Sequence, residues 1–257
     1  MSTRTPLALS AAALLAVTSV AGCSSSTTTP EVSVSASPVP STEATPNGIQ
    51  KESADQILKT SRAAAEKASS VNVVIEQDNA GTPVRTDITL SDQGSTGTLG
   101  QPDGQSAEVV GTTDAIYIKG SSFAQQLGPE VATQVEGKWI KIPKDNPAAQ
   151  SFAGLSSVKD FIGTILATPE KLTKLPVKDI GGVEAVGLDS QQGVLWIATT
   201  GEPLPIEVTA PEGQSGKMTL TEWNAPVTIT PPPESDVVDI STLQTAQPGA
   251  PAPAPSN

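Results

Sequence analysis

The chain has 257 residues, 27 acidic against 15 basic side chains, a net charge of −12, one cysteine and no histidine. The lack of histidine excludes Ser–His and Cys–His nucleophile pairs and removes the commonest general base and zinc ligand. Nucleic acid binding requires clustered positive charge, and the few Lys and Arg residues form no run, so we expect no nucleic acid partner. We also expect no catalytic residues, no metal site and no cofactor, although paired carboxylates or a Ser–Lys pair could still support an enzyme.

The N-terminus has the layout of a secretory signal peptide. Arg4 precedes an apolar run over 7–20, and small residues lead up to Cys23. The run is too short for a membrane-spanning helix, which needs about 20 apolar residues. Residues 1–22 are predicted to be a lipoprotein signal peptide. Cleavage would leave Cys23 as the first residue of the mature protein, carrying diacylglycerol and palmitate.

This lipid modification predicts the location of the protein. Each buried CH₂ contributes about 0.8 kcal/mol, and a lipoprotein cysteine carries at least two acyl chains, so the anchor would be stable. We predict a protein of the cell envelope, lipid-anchored at Cys23 to the extracytoplasmic face of the cell membrane. The alternatives are an ordinary secretory signal with an incidental cysteine, or a cytosolic protein with an apolar start.

Two low-complexity segments flank the part of the chain expected to fold. Residues 23–48 are rich in Ser, Thr and Pro, and we predict a disordered tether that could be glycosylated. Residues 244–257 are rich in Pro and Ala, and a disordered tail is predicted there. The 49–243 segment is long enough to build one core, so a single domain is expected.

That segment begins with a helix and continues with strands. Ser53 is predicted to cap a helix that starts at Ala54, because Ser accepts hydrogen bonds from free N-terminal amides. The apolar period then changes to two, as in antiparallel strands with one dry face. The alternating apolar positions are Val71, Val73, Ile75, Val84, Ile88, Leu90, Ile116, Ile118, Ile140, Ile142, Ile206, Val208, Met218 and Leu220. The 194–198 run is apolar throughout, which predicts a central strand covered on both faces.

Helical segments interrupt the strands. A short helix is predicted over 121–135, broken at Gly128-Pro129, and a longer apolar stripe predicts a helix from Phe152 to Leu166. So many strands in one sheet should curl rather than stay flat. The fold class expected is therefore α+β, a strongly curved antiparallel sheet, or half-barrel, wrapped around a few helices.

Several strand segments resemble the LppX/LprG lipoproteins of mycobacteria and relatives. They are LWIATTG over 195–201, PIEV over 205–208, and MTLTEWNAPVTI over 218–229, of which the last is the most specific. GKWIKIP over 137–143 also looks like a strand of related actinobacterial lipoproteins. The resemblance implies a LolA-like half-barrel with an apolar cavity between sheet and helices, and an acyl lipid or lipoglycan as the ligand that is carried across the envelope.

The expected cavity has two walls. On the helix side we predict Leu155, Phe161, Ile162 and Ile165, and on the sheet side Val73, Ile88, Ile116 and Ile118. The first hypothesis is a monomeric, membrane-anchored lipid carrier without catalytic residues. The second is a non-carrier lipoprotein, an interaction module with a packed interior, and the third is an envelope hydrolase with paired carboxylates, which no spacing suggests.

Overall fold

The computed structural model describes residues 45–167 and 171–245. The predicted signal peptide, Cys23 and residues 24–44 of the tether lie outside the described residues, as do residues 246–257 of the tail. Among the described residues, no helix is both long and apolar enough to cross a lipid bilayer.

The described chain contains twelve strands, five α-helices and three 3₁₀ helices. The strands are β1 (Ser70–Asn79), β2 (Thr82–Ser91), β3 (Gly94–Gly100), β4 (Ser106–Gly111), β5 (Ala115–Lys119), β6 (Trp139–Pro143), β7 (Thr173–Ile180), β8 (Val183–Ser190), β9 (Gly193–Ala198), β10 (Pro205–Thr209), β11 (Lys217–Thr221) and β12 (Val237–Asp239). The α-helices are α1 (Ala54–Ala65), α2 (Ser121–Gln126), α3 (Pro129–Gln134), α4 (Val158–Ile165) and α5 (Ile240–Thr245). The 3₁₀ helices are Ile49–Lys51, Pro147–Leu155 and Glu234–Asp236.

The first α-helix begins where the sequence predicts. The Ser53 hydroxyl accepts a hydrogen bond from the Gln56 amide at 3.4 Å, which satisfies one of the free N–H groups at the helix start. Ile57, Leu58 and Ala65 lie on the buried face, and the exposed face carries the Arg62–Glu66 ion pair at 2.9 Å. The helix thus presents one apolar stripe to the sheet.

All twelve strands form one sheet, in the order β12-β6-β5-β4-β3-β2-β1-β11-β10-β9-β8-β7. Neighbouring strands pair antiparallel, except for the parallel pair of β12 with β6. The sheet is not closed into a barrel, because β7 and β12 remain its two edges. The predicted α+β class with an open antiparallel sheet is confirmed.

The core shows that the sheet curls. If the twelve-stranded sheet were flat, its eleven strand spacings of about 4.8 Å would span roughly 53 Å. The eight residues of α4 cover only about 12 Å. Yet a single apolar core includes side chains from β8, near one edge, to β6, next to the other, together with α1 and α4. Helices much shorter than a flat sheet of this width share one core with strands near both of its edges, as expected for a twisted sheet that bends around its helices.

The structure differs from the sequence predictions in three respects. The helix predicted over Phe152–Leu166 is instead the 3₁₀ helix Pro147–Leu155 followed by α4, because the Ser157 hydroxyl accepts from the Asp160 amide and starts a new helix. Strands β3, β4, β7, β8 and β12 were not predicted, since their apolar alternation is weak. The last residues of the predicted tether belong to the fold.

That last correction rests on hydrogen bonds to the turn after β9. The Asn47 amide N–H donates to the Thr199 carbonyl at 2.9 Å, and its side-chain amide donates to the Ala198 carbonyl at 3.0 Å. The Gly201 amide donates to the Thr45 carbonyl at 2.9 Å. The composition predicts a disordered tether that ends at residue 48. In the structure, these hydrogen bonds to the end of β9 and to the turn after it hold residues 45–48 against the folded domain.

Candidate functional site

The eight residues predicted to line a cavity come together in one apolar core. Val73, Ile88, Ile116 and Ile118 lie on the inner face of the sheet and are at most 2% exposed. Phe161 and Ile162 of α4 are also buried, and Leu155 and Ile165 pack against the same core while half-buried. The structure therefore places the two predicted walls in the same interior.

The space beside α4 is small. A void of about 40 Å³ lies next to Ile165 and Leu166, and Leu58, Leu172, Leu188, Leu195 and Val208 supply the rest of its apolar lining. Ile165 is the predicted cavity residue that reaches it. A void of this size holds a few water molecules at most. An acyl chain would need more room than α4 leaves here.

A larger cleft of about 490 Å³ lies between the α2–α3 pair and strands β4, β5 and β6. Its volume falls within the range of roughly 300–1,000 Å³ that is common for small-molecule sites. Its floor includes Ala124, Val135 and Ile140, all of which are buried members of the main core. The bottom of the cleft is therefore formed by side chains that also belong to the apolar core.

The rim of this cleft is polar. Glu108, Lys119, Glu136 and Lys138 surround the apolar floor. The Lys119 ammonium also lies 5.9 Å from the centre of the Trp139 ring, within the range of a cation–π contact. An apolar floor with a charged rim suits an amphipathic ligand whose apolar part goes inward.

The helices that cover this cleft are weakly embedded. Ala124 is the one residue of α2 that is buried, and α3 buries none. Phe123 of α2 contacts Phe152 edge to face, with ring centres 6.4 Å apart. Because so little apolar surface holds α2 and α3 in place, separating them from the sheet costs less than separating α1 or α4.

Polar contacts attach α2 to the turn between β3 and β4. Ser121 donates to the Gln105 side chain and Gln126 donates to the Gln101 side chain, both at 3.2 Å. The Ser122 hydroxyl donates to the Asp103 carboxylate. This bond, together with the Gln105 amide, lowers the pKa of Asp103 below its ordinary value of 3.8, because both stabilise the charged carboxylate.

The sequence predictions did not include this cleft. The predicted helix over 121–135, broken at Gly128-Pro129, is confirmed as α2 and α3, but no residue of it was assigned to a site. One feature of the sequence pointed to the cleft. On the side of α2 and α3 that faces the sheet, the residues are the small Ala124 and Ala132, whereas the corresponding side of α4 has the large Phe161 and Ile162. Small residues at such positions leave space beneath a helix.

No known family model matches the chain, and no curated protein matches it. Among solved structures, it is similar to LprF from Mycobacterium bovis, at 18% identity and a TM-score of 0.48, over 70% of this chain and 96% of that one. It is also similar to the lipoprotein LppX from Mycobacterium tuberculosis, at 16% identity and a TM-score of 0.47, over 69% of this chain and 100% of that one. A third similar structure is the Pseudomonas aeruginosa MucA/MucB complex, at 18% identity and a TM-score of 0.36, over 68% of this chain and 58% of that one.

At these identities the similarity concerns the fold and identifies no ligand.

Proposed function

We propose that this protein is a lipid-anchored carrier of the cell envelope that binds the acyl chain of a lipid or lipoglycan. The acyl chain enters through the cleft under α2 and α3 and extends into the apolar interior that the eight predicted residues surround. One observation supports this proposal most directly: residues of the main core form the floor of the 490 Å³ cleft.

The energetics of such a complex are favourable without any catalytic group. A sixteen-carbon chain removed from water contributes on the order of 13 kcal/mol gross, at about 0.8 kcal/mol per CH₂, and ordering of the chain offsets much of it. Shielding the chain from water is the whole task, so we propose that the protein is not an enzyme. The charged rim would contact the polar headgroup.

The proposed carrier acts as a monomer at the membrane. Edge strand β7 carries Lys174, Pro176 and Lys178, and its pairing with β8 is irregular between Lys174 and Val177. Lysine, proline and such irregularities discourage an edge from pairing with a second sheet. The lipid on Cys23 would keep the domain close to the bilayer that supplies or receives its cargo.

A specific observation favours a second candidate, the non-carrier interaction module. Around α4 the interior is packed, with Val158, Phe161 and Ile162 buried and only about 40 Å³ of space nearby. If this packing persists when the protein meets lipid, the fold serves to present a surface rather than to hold cargo.

Native mass spectrometry of the protein purified from its own host distinguishes the two candidates. The carrier should retain non-covalently bound acyl lipid in addition to the lipid on Cys23, whereas the module should carry the Cys23 lipid alone. Ala132 lines the cleft, so Ala132→Trp should reduce the lipid-bound fraction by more than half. Ala63→Trp is the matched control because Ala63 lines a separate groove on α1, and it should leave the bound fraction unchanged. Equal loss of bound lipid in both variants, or a parent protein with no lipid beyond the one attached to Cys23, would contradict the proposal.

A further inference from the structure

The connection between β11 and β12 is attached to the rest of the described chain by few hydrogen bonds. After β11, residues 225–236 run to the edge of the sheet, where β12 pairs with β6. Residues 226–232, which include Pro226, Pro231 and Pro232, make no hydrogen bond within the described part of the chain. Such a connection can move without breaking any backbone pairing.

Strand β12 itself is a weak attachment. It has three residues, and it pairs parallel with Trp139, Ile140 and Lys141 of β6. Its one ion pair, Asp239 with Lys141, has a separation of 4.0 Å and is partly exposed. Exposed pairs of this kind add little stability. Among the strands of the described residues, β12 pairs only with β6.

The helix that follows is embedded in the interior. Ile240 and Leu243 of α5 are only 4% and 6% exposed and belong to the main core. The helix packs against β6, the strand that supplies Ile140 to the floor of the cleft. Leu243 also contacts a groove lined by Leu127 and Val131 of the α2–α3 pair. The two side chains of α5 therefore fill apolar space next to β6, and Leu243 does so next to the turn between α2 and α3.

We propose that α5 is an internal plug, which fills the inner end of the acyl-chain site in the lipid-free protein and is displaced when an acyl chain enters. This inference rests on the proposed function. An incoming acyl chain offers the same apolar chemistry as Ile240 and Leu243, and a long chain covers more apolar surface than two side chains. Moving α5 away breaks the three-residue pairing of β12 with β6 and takes Ile240 and Leu243 out of the core, where the acyl chain replaces their apolar contacts.

The plug also explains why the interior is packed although the sheet is open. A site that is filled by a segment of the same chain shows no large void. Its ligand can bind only to the molecules in which the plug is displaced, so the apparent affinity is the intrinsic affinity multiplied by the fraction of those molecules. Removal of the plug should therefore tighten binding rather than weaken it. A purely structural role for α5 predicts the opposite sign, since loss of core side chains loosens the walls.

Hydrogen exchange of the full chain tests the displacement directly. Amides over 243–245, which lie beyond the unbonded first turn of α5, should exchange about tenfold faster or more when the protein is saturated with a fluorescent sixteen-carbon fatty acid, because α5 leaves its site. Amides of α1 serve as the internal control and should not change. If the fatty acid binds while the amides of α5 keep their protection from exchange, the hypothesis that α5 is a plug is wrong, and the proposed function stands.

Truncation tests the effect on affinity. A chain that ends at Asp239 should bind the same fatty acid at least about fivefold more tightly than a chain that ends at Thr245, which keeps α5. If the shorter chain does not fold, the full-length double variant Ile240→Ala, Leu243→Ala replaces it and should show the same direction. Equal or weaker binding than the chain ending at Thr245 overturns the plug. Failure of every chain to bind fatty acid overturns the proposed function itself.

Discussion

The indole ring of Trp196 lies against Gly187, its partner on the neighbouring strand β8. A Cβ atom added to Gly187 would lie 3.0 Å from ring atom Cζ3 of Trp196 and 3.1 Å from Cβ of Leu175. The Lys178 ammonium lies 5.4 Å from the centre of the same ring. Leu195 and Ile197 face the core, so Trp196 covers the opposite face of the sheet. The glycine gives the indole its space.

Gly187→Ala should therefore destabilise the protein. The added methyl group meets three close contacts at once, and overpacking of this kind costs about 1–3 kcal/mol. Urea unfolding followed by Trp fluorescence measures the loss. Gly154→Ala is the control, because nothing lies within 4 Å of the Cβ that it adds, and its free energy of unfolding should change by about 0.5 kcal/mol or less. Equal stability of both variants would contradict the close packing.

Asn47 should contribute to stability although composition places it in a disordered tether. Its side chain donates to the carbonyls of Ala198 and Gly201 and accepts from the Ile49 amide. Asn47→Ala should lower the free energy of unfolding by about 1–2 kcal/mol, since partly buried partners lose their bonds. Asn79→Ala, which loses one exposed contact of 3.4 Å, is the control. A tether free of the domain would give no difference between the two.

Asp103 should titrate below its ordinary pKa of 3.8, because the Ser122 hydroxyl stabilises its carboxylate. The folded pKa is lower than the unfolded one, so the favourable contribution is present above the unfolded pKa and is lost as the pH falls through the folded pKa. Ser122→Ala should raise the pKa of Asp103 toward the ordinary value, as measured by NMR titration of its carboxyl carbon. An unchanged pKa in this variant would exclude the bond.

Cys23 should carry the membrane anchor. Cys23→Ser removes the thiol to which diacylglycerol attaches, so labelled palmitate should no longer be incorporated, and the protein should shift from the membrane fraction to the soluble one. Expression in a host with lipoprotein-processing enzymes and fractionation of its cells provide the measurement. Ser24→Ala, one residue further on, is the control and should remain in the membrane fraction. Retention of the Cys23→Ser variant in the membrane would point to another mode of attachment.

Elements with strong apolar periodicity were predictable. Strands β1, β2, β5, β6, β10 and β11 alternate large aliphatic and polar residues, and helix α1 has both a capping Ser53 and an apolar stripe. Strand β3, with the sequence GSTGTLG, carries little apolar signal of its own. It becomes a strand because β2 and β4 flank it and supply its hydrogen-bond partners. Local propensity cannot show such partners.

One part of the candidate site could likewise be predicted from the sequence, and another part could not. The predicted cavity residues do converge, because each lies on the inner face that alternation or helical spacing assigns to it. The cleft under α2 and α3 could not be predicted, because it depends on how far two short helices stand from strands that precede and follow them. The position of α5 depends on a partner strand about a hundred residues earlier in the chain.

The amino-acid sequence by itself determined which stretches have a dry face and hence most of the strands, the first helix and the class of fold. It also excluded histidine chemistry and supplied the prediction of a lipid anchor. Only the tertiary structure decided where apolar surface is left without a close neighbour, at the cleft, and which part of the core α5 joins. Free volume arises from the distance between elements that are remote in sequence, and residue order alone does not contain that distance.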